Sequence, residues 1–194
     1  MRKYNRIVLA VWAFGACESL EGERRLLPNA RVSVFVPANW EAVPAEGAEL
    51  QLQPRGVKTV RLRVVVDPKR GQTLAQLKEQ EMRDIEGLAK QGLKVDDIAL
   101  TDTKRGHLHG HRLLVRMTMK DQALRQLEDL LIVDSLGVGV IALGPADEFD
   151  KVSPEIERIM SSVRSLTPEP ETPRTYPPDA VTSASQRVTT HAWK

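Results

Sequence analysis

The chain has a single cysteine among its 194 residues, few aromatics, and no long apolar run. One cysteine excludes an intramolecular disulfide. Aromatics amount to 4%, so the core has to be built from Leu, Val, Ile and Ala. The longest apolar run, residues 7–16, is about half of the ~20 residues that a membrane-spanning helix needs. Acidic residues are missing before Glu18, whereas Arg2, Lys3 and Arg6 precede it. From Glu18 onward 25 basic side chains face 26 acidic ones. A near-neutral chain with few aromatics is not built to bind nucleic acid. The sequence also has no nucleophile elbow, P-loop, CxxC or HExxH, so no catalytic set and no cofactor are expected.

A short basic start, an apolar stretch and then a polar segment form the order of a signal peptide. Cys17 ends the apolar stretch, and Phe14-Gly15-Ala16-Cys17 resembles a bacterial lipobox, in which the cysteine thiol is lipidated and becomes the new N-terminus. Ala16 suits the position before the cysteine, and Phe14 departs from the usual Leu. Two or three acyl chains hold a protein on a membrane far more firmly than one. The expectation is a signal peptide over residues 1–16, a lipidated Cys17 with a tether to residue 30, and membrane attachment on the periplasmic face of a bacterial envelope. A cytosolic protein with an odd N-terminus is the alternative.

Residues 31–166 read as one α+β domain. Val32, Val34 and Val36 alternate with Ser33 and Phe35, a strand stopped by Pro37. Leu50 and Leu52 mark a second strand. Val60, Leu62, Val64 and Val66 lie on one face of a third, with Thr59, Arg61 and Arg63 on the other, and Asp67-Pro68 ends it. A helix follows, with Thr73 and Gln76 at capping-box spacing, Leu74, Leu77, Met82, Ile85 and Leu88 on one stripe, and Gly92 as C-cap. Glu81 falls near the middle of that stripe. It is read as reaching past the core edge into water, with a partly buried carboxylate as the alternative. Strands are expected over 95–101, 107–119, 125–135 and 138–143, the middle two joined by the polar segment KDQALRQ. The last two strands are apolar on both faces and belong in the middle of the sheet. A final helix is expected to be capped by Ser153, with Pro154 in its first turn and Ile156, Ile159, Met160, Val163 and Leu166 on its stripe. The predicted architecture is a mainly antiparallel sheet of six or seven strands with helices on both faces. Residues 167–194, rich in Pro, Thr and Ser, are read as a disordered tail.

Three stretches, VSVFVPANW, VGVIALGP and IERIMSSVRSL, together with this element order, resemble the DcrB-like and PsbP-like proteins. That resemblance implies a small α/β/α sandwich, often found on bacterial envelope lipoproteins. It implies a binding or assembly module rather than an enzyme, with a protein partner in the envelope. It brings no catalytic residues. A related set of cytosolic chaperones for hydrophobic segments supplies a further alternative.

Three groups of residues are site candidates. His107, His109 and His111 alternate in GHLHGH. On a regular strand they share a side and are candidate zinc or copper ligands. A bulge at Gly110 would point them apart, and exposed histidines that merely titrate are the alternative. Arg61 and Arg63 share the polar face of their strand and suit lipid phosphates or an acidic partner, or else simply keep that face solvated. Trp40, beside a turn, is read as a core plug or a ligand platform. GVGVIA, residues 137–142, matches a loose dinucleotide pattern, but its glycines open a strand instead of leaving one, and the match is rejected.

Overall fold

The computed structural model describes residues 21–90 and 92–168, without the side chains of residues 68–70. Seven strands form one antiparallel sheet and three form a second. In chain order the elements are β1 (Gly22–Leu27), β2 (Val32–Pro37), β3 (Trp40–Ala42), β4 (Leu50–Pro54), β5 (Arg61–Arg70), α1 (Leu74–Lys90), β6 (Lys94–Arg105), β7 (Leu108–Met119), β8 (Gln122–Val133), β9 (Leu136–Pro145), α2 (Ala146–Ser161) and β10 (Arg164–Ser165). The large sheet has the order β3-β4-β5-β9-β8-β7-β6, and the small one β1-β2-β10. β8 and β9 thus lie inside the large sheet, where their apolar character put them.

Several expectations are corrected. Residues 22–27, read as tether, form β1 and pair with β2 from Gly22↔Pro37 to Leu27↔Val32. An edge strand keeps its outer side in water, so GERRLL shows little apolar alternation. β2 belongs to the small sheet instead of the large one. β5 runs through Pro68 to Arg70, with a register shift between Val66 and Arg70. An irregularity is where a strand tolerates a proline. β7 and β8 meet in a two-residue turn, Lys120-Asp121, instead of the longer KDQALRQ segment. Both turn residues have positive φ, as do Asp134 and Ser135 between β8 and β9, which suits the twist of a tight hairpin.

α1 begins as its sequence predicts. The Thr73 N–H donates to Gln76 Oε1 at 2.8 Å, and the Gln76 N–H donates back to Thr73 Oγ1 at 3.2 Å. Gly92, at φ 93, closes the other end. α2 begins earlier than predicted, at Ala146, so Ser153 and Pro154 lie inside it. The buried stripe already starts with Phe149 and Val152 and continues through Ile156, Ile159 and Met160. Asp147 and Glu148 stand in the first turn, where the helix dipole favours acids.

Buried side chains fall into two clusters. The larger joins Val32, Val34 and Val36 of β2 to Ile156, Ile159 and Met160 of α2, and to Leu62, Val64, Leu131, Val138 and Val140 of the large sheet. The smaller joins Ile85 of α1 to Leu113, Val115 and Met117 of β7.

β7 pairs without a break through Gly110 on both sides, with Thr103 and with Leu131. No bulge forms there. Glycine is required because an added Cβ would run into the carbonyl oxygen of Leu130 and stand 2.7 Å from Leu131 Cδ2. Gly110→Ala is therefore expected to cost roughly 1–3 kcal/mol in urea unfolding. A loss within about 0.5 kcal/mol, the range of a neutral surface change, would show that the strands part freely.

Candidate functional site

β8 carries Glu128 and Asp129 side by side in the middle of the large sheet. Consecutive strand residues point to opposite sides. Glu128 stands across from Leu113 and Ile141, whereas Asp129 stands across from Arg112 and Val140. Both are buried, at 2% and 0% exposure. Burying a lone carboxylate costs several kcal/mol, so each needs a solution.

Asp129 is solved by arginines. Arg112 Nε donates to its Oδ1 at 2.7 Å, and Arg105 Nε donates to its Oδ2 at 2.8 Å. Arg112 Nη1 also holds Glu157 of α2, at 2.9 and 2.8 Å from the two carboxylate oxygens. These neighbours keep the Arg112 guanidinium charged, raising its pKa against the opposing effect of burial. One chain of charges thereby ties β6, β7 and β8 to α2.

Glu128 is solved by a proton. Its neighbour is Glu81 of α1, four residues from both Leu77 and Ile85 on the buried stripe. The two carboxyls lie close enough to act on each other's proton. Burial, then the charge and side chain of Glu81, push Glu128 well above the usual carboxylate range. Burial also raises Glu81, Asp84 adds to this, and the side chain of Glu128 works against it. The pair therefore holds a proton more tightly than a free carboxyl does. Gln126 Nε2 donates to Glu128 Oε2 at 3.0 Å. Glu81 is thus half-buried and paired, which corrects its reading as a side chain reaching out into water.

Beside this pair a cleft of about 380 Å³ opens between α1 and the sheet. Its floor is Gly137 and Gly139 of β9. A Cβ on Gly139 would stand 3.2 Å from Glu128 Oε1 and 3.0 Å from Val65 Cγ2. Leu77, Leu130 and Ile141 line the walls.

The residues predicted from sequence do not converge on this cleft. His107 lies in the turn between β6 and β7, and together with His109 it lines a different hollow of about 510 Å³ near Asp134. His111 Nδ1 lies 3.0 Å from Asp102 Oδ1 on β6. Among the described residues no three metal-ligating side chains come together. Arg61 Nη1 donates to Gln53 Oε1, and Arg63 Nη2 donates to the Glu46 carbonyl at 2.6 Å. Trp40 is 3% exposed and belongs to the larger core cluster, so it fills the core. Cys17 lies outside the described residues. Glu128 was missed, although two adjacent acids within LEDLLIV, a run otherwise apolar, marked the place.

The chain was also compared with known proteins. It superposes on the solution structure of cyanobacterial PsbP (CyanoP) from Synechocystis with a TM-score of 0.59, 15% identity, and coverage of 80% of this chain and 98% of that one. The fold is PsbP-like. LpqN of Mycobacterium tuberculosis, a protein involved in cell envelope biogenesis, matches with a TM-score of 0.50 at 12% identity, over 73% of this chain and 83% of that chain. A Bacteroides thetaiotaomicron structure matches with a TM-score of 0.52 at 13% identity, over 76% of this chain and 49% of that one. No protein-family model and no curated protein sequence matches the chain. On this PsbP-like frame Glu81 and Glu128 bring two acids together, and the groups that act on Glu128 include no cation.

The pair makes stability depend on pH with a definite sign. A carboxyl held above its ordinary value of 4.5 in the folded state keeps its proton while the unfolded chain loses one. It costs nothing below that value and progressively more as pH rises above it. Glu128→Gln retains a donor to Glu81 and removes this cost. Its melting temperature should rise relative to the wild type between pH 4 and pH 8, and a difference that stays constant across that range would exclude the shared proton.

Proposed function

We propose that this chain is a non-catalytic binding module of the bacterial cell envelope, attached to the membrane through a lipid on Cys17. The observation that carries the reading is the lipobox-like FGAC stretch directly ahead of a PsbP-like domain. The likeness of fold to LpqN, itself involved in cell envelope biogenesis, supports the same compartment. β1 starts at Gly22, five residues after Cys17. Fully extended, those residues reach roughly 17 Å, so a lipid on Cys17 would hold the domain close to the bilayer. The layering is read as α/β/α, with α1 and α2 on opposite faces of the large sheet. In support, their core partners on β7 and β8 alternate along the strands.

A clickable fatty acid fed to cells expressing the full chain tests the anchor. The wild type should be labelled and sediment with membranes, and Cys17→Ser should be neither. Unlabelled wild type in the soluble cytosolic fraction would overturn the reading.

A further inference from the structure

On the side of β9 that faces α1 the residues are Gly137, Gly139, Ile141 and Leu143. The first two bring no side chain; Leu77 and Asp67 close over Gly137, Val65 and Glu128 close over Gly139, and the 380 Å³ cleft opens beside them. That volume is in the range of small-molecule sites. Its walls are apolar, from Val65, Leu77, Leu130 and Ile141. Its polar groups are Asp67 of β5, Gln80, Glu81 and Asp84 of α1, and Glu128 of β8. Among the described side chains that line it, none is basic.

Glu128 is the deepest of these groups, with Oε1 held over Gly139. The groups that act on it are Glu81, Gln126 and, from the other side of the sheet, Asp129: two acids and an amide. The adjacent position shows the contrast. Asp129, equally buried, is met by two arginines from the chain itself. Glu128 is 98% shielded from solvent, aimed into a cavity, and has no cationic partner among the described residues.

We propose that this cleft binds an organic cation, a primary ammonium or guanidinium group on an aliphatic stem. The cationic head lies between Glu81 and Glu128, and the stem lies along Val65, Leu77, Leu130 and Ile141. Charge-assisted hydrogen bonds to two carboxylates in a desolvated site are strong, and the stem gains from leaving water. An anion finds no basic side chain among the described lining and meets the carboxyl groups of Glu81 and Glu128. A metal ion is poorly served, because apolar walls offer no ligands and the described acids do not gather in threes. The entering cation displaces the proton that the Glu81–Glu128 pair holds. That proton leaves to solvent, so binding releases one proton and tightens as pH rises. A free amine and the side chain of a lysine or arginine on a polypeptide present the same head and stem. The proposal extends the binding-module reading and is independent of the lipid anchor, which the labelling experiment judges separately.

The test is a titration of the full-length protein with hexylamine, hexanol and hexanoate, followed by methyl NMR shifts of Leu77, Leu130 and Ile141. Calorimetry in two buffers of different ionisation heat counts the protons. Hexylamine should bind saturably, ~10-fold or more tighter than hexanol or hexanoate, and should release a proton. Glu128→Gln should weaken hexylamine by ~10-fold, as should Gly139→Ala, whose methyl group stands between the walls. A capped Ala-Lys-Ala peptide then shows whether a polypeptide lysine enters as the free amine does. Equal binding of hexylamine and hexanol, an unchanged affinity in a folded Glu128→Gln, or no saturable shift below about 10 mM would overturn the proposal. Where a variant does not fold, the comparison of the three six-carbon probes on the wild type decides it alone.

Discussion

Two adjacent carboxyl groups in the middle of a buried strand set the terms for the layers around them. Pleating sends Glu128 to one side of β8 and Asp129 to the other. Neither charge is stable there alone. On one side the answer is ionic. Arg112 reaches Asp129 from the neighbouring strand and Arg105 from the end of β6, one strand further out. Arg112 then extends the chain of charges to Glu157, so α2 is fixed by charge as well as by its apolar stripe. For Glu128 the answer is a proton shared with Glu81 of α1. The central strand thus grips one helix through a network of charges and the other through a carboxyl pair whose proton makes that grip depend on pH.

Much of the frame was legible because it follows from local periodicity. Alternating valines, the Thr73–Gln76 box and Gly92 each dictate their element from within a few residues. What was not legible depends on partners. β1 is polar because it is an edge, and an edge is defined by the strand it borders. The start of α2 was displaced by the Ser153-Pro154 pair, a good local start signal that the stripe from Phe149 onward overrides. The histidines illustrate the same limit. Their alternation is real for His109 and His111, but closing a metal site needs side chains from neighbouring strands. The register supplies His111 with Asp102 instead.

The site was half legible for a related reason. Glu81 stood out because an acid on a helix stripe breaks a strong pattern. Its partner stood in plain view in LEDLLIV, yet strand pattern alone gives no way to match a residue of α1 to one of β8. The pairing depends on how α1 lies across the sheet, which is set by Leu77, Ile85 and the cluster of β7 side chains beneath them. The two arginines of the predicted polar face are likewise engaged within the chain, by Gln53 and the Glu46 carbonyl, and that engagement is invisible before β4 is paired with β5.

The rejected GVGVIA motif acquires a different meaning in this setting. Its valines fill the larger core, fully buried at Val138 and Val140. Its glycines let Val65, Leu77 and Glu128 close directly over the opposite side of β9. Glycine inside a strand is destabilising by roughly 0.5–1 kcal/mol relative to alanine, and here two occur in a central strand beside a carboxyl whose burial is itself unfavourable. The side of the same strands that carries Asp129 shows that the chain can fill its positions and pair its charges. Sequences that fold well tend to agree with their structure at every level and to depart from that agreement where function requires it. On the side that carries Glu128 three departures coincide: missing side chains, an acid on an apolar stripe, and a buried acid without a cation among the described residues. Each alone has a structural explanation. Gly139 gives Glu128 room, Glu128 gives Glu81 a partner, and Glu81 lines the cleft beside the glycines. Their mutual dependence argues that the cleft is a constructed feature and not a packing defect, since a defect would be removed by any one methyl group, and here the methyl group at Gly139 would press on the carboxyl itself.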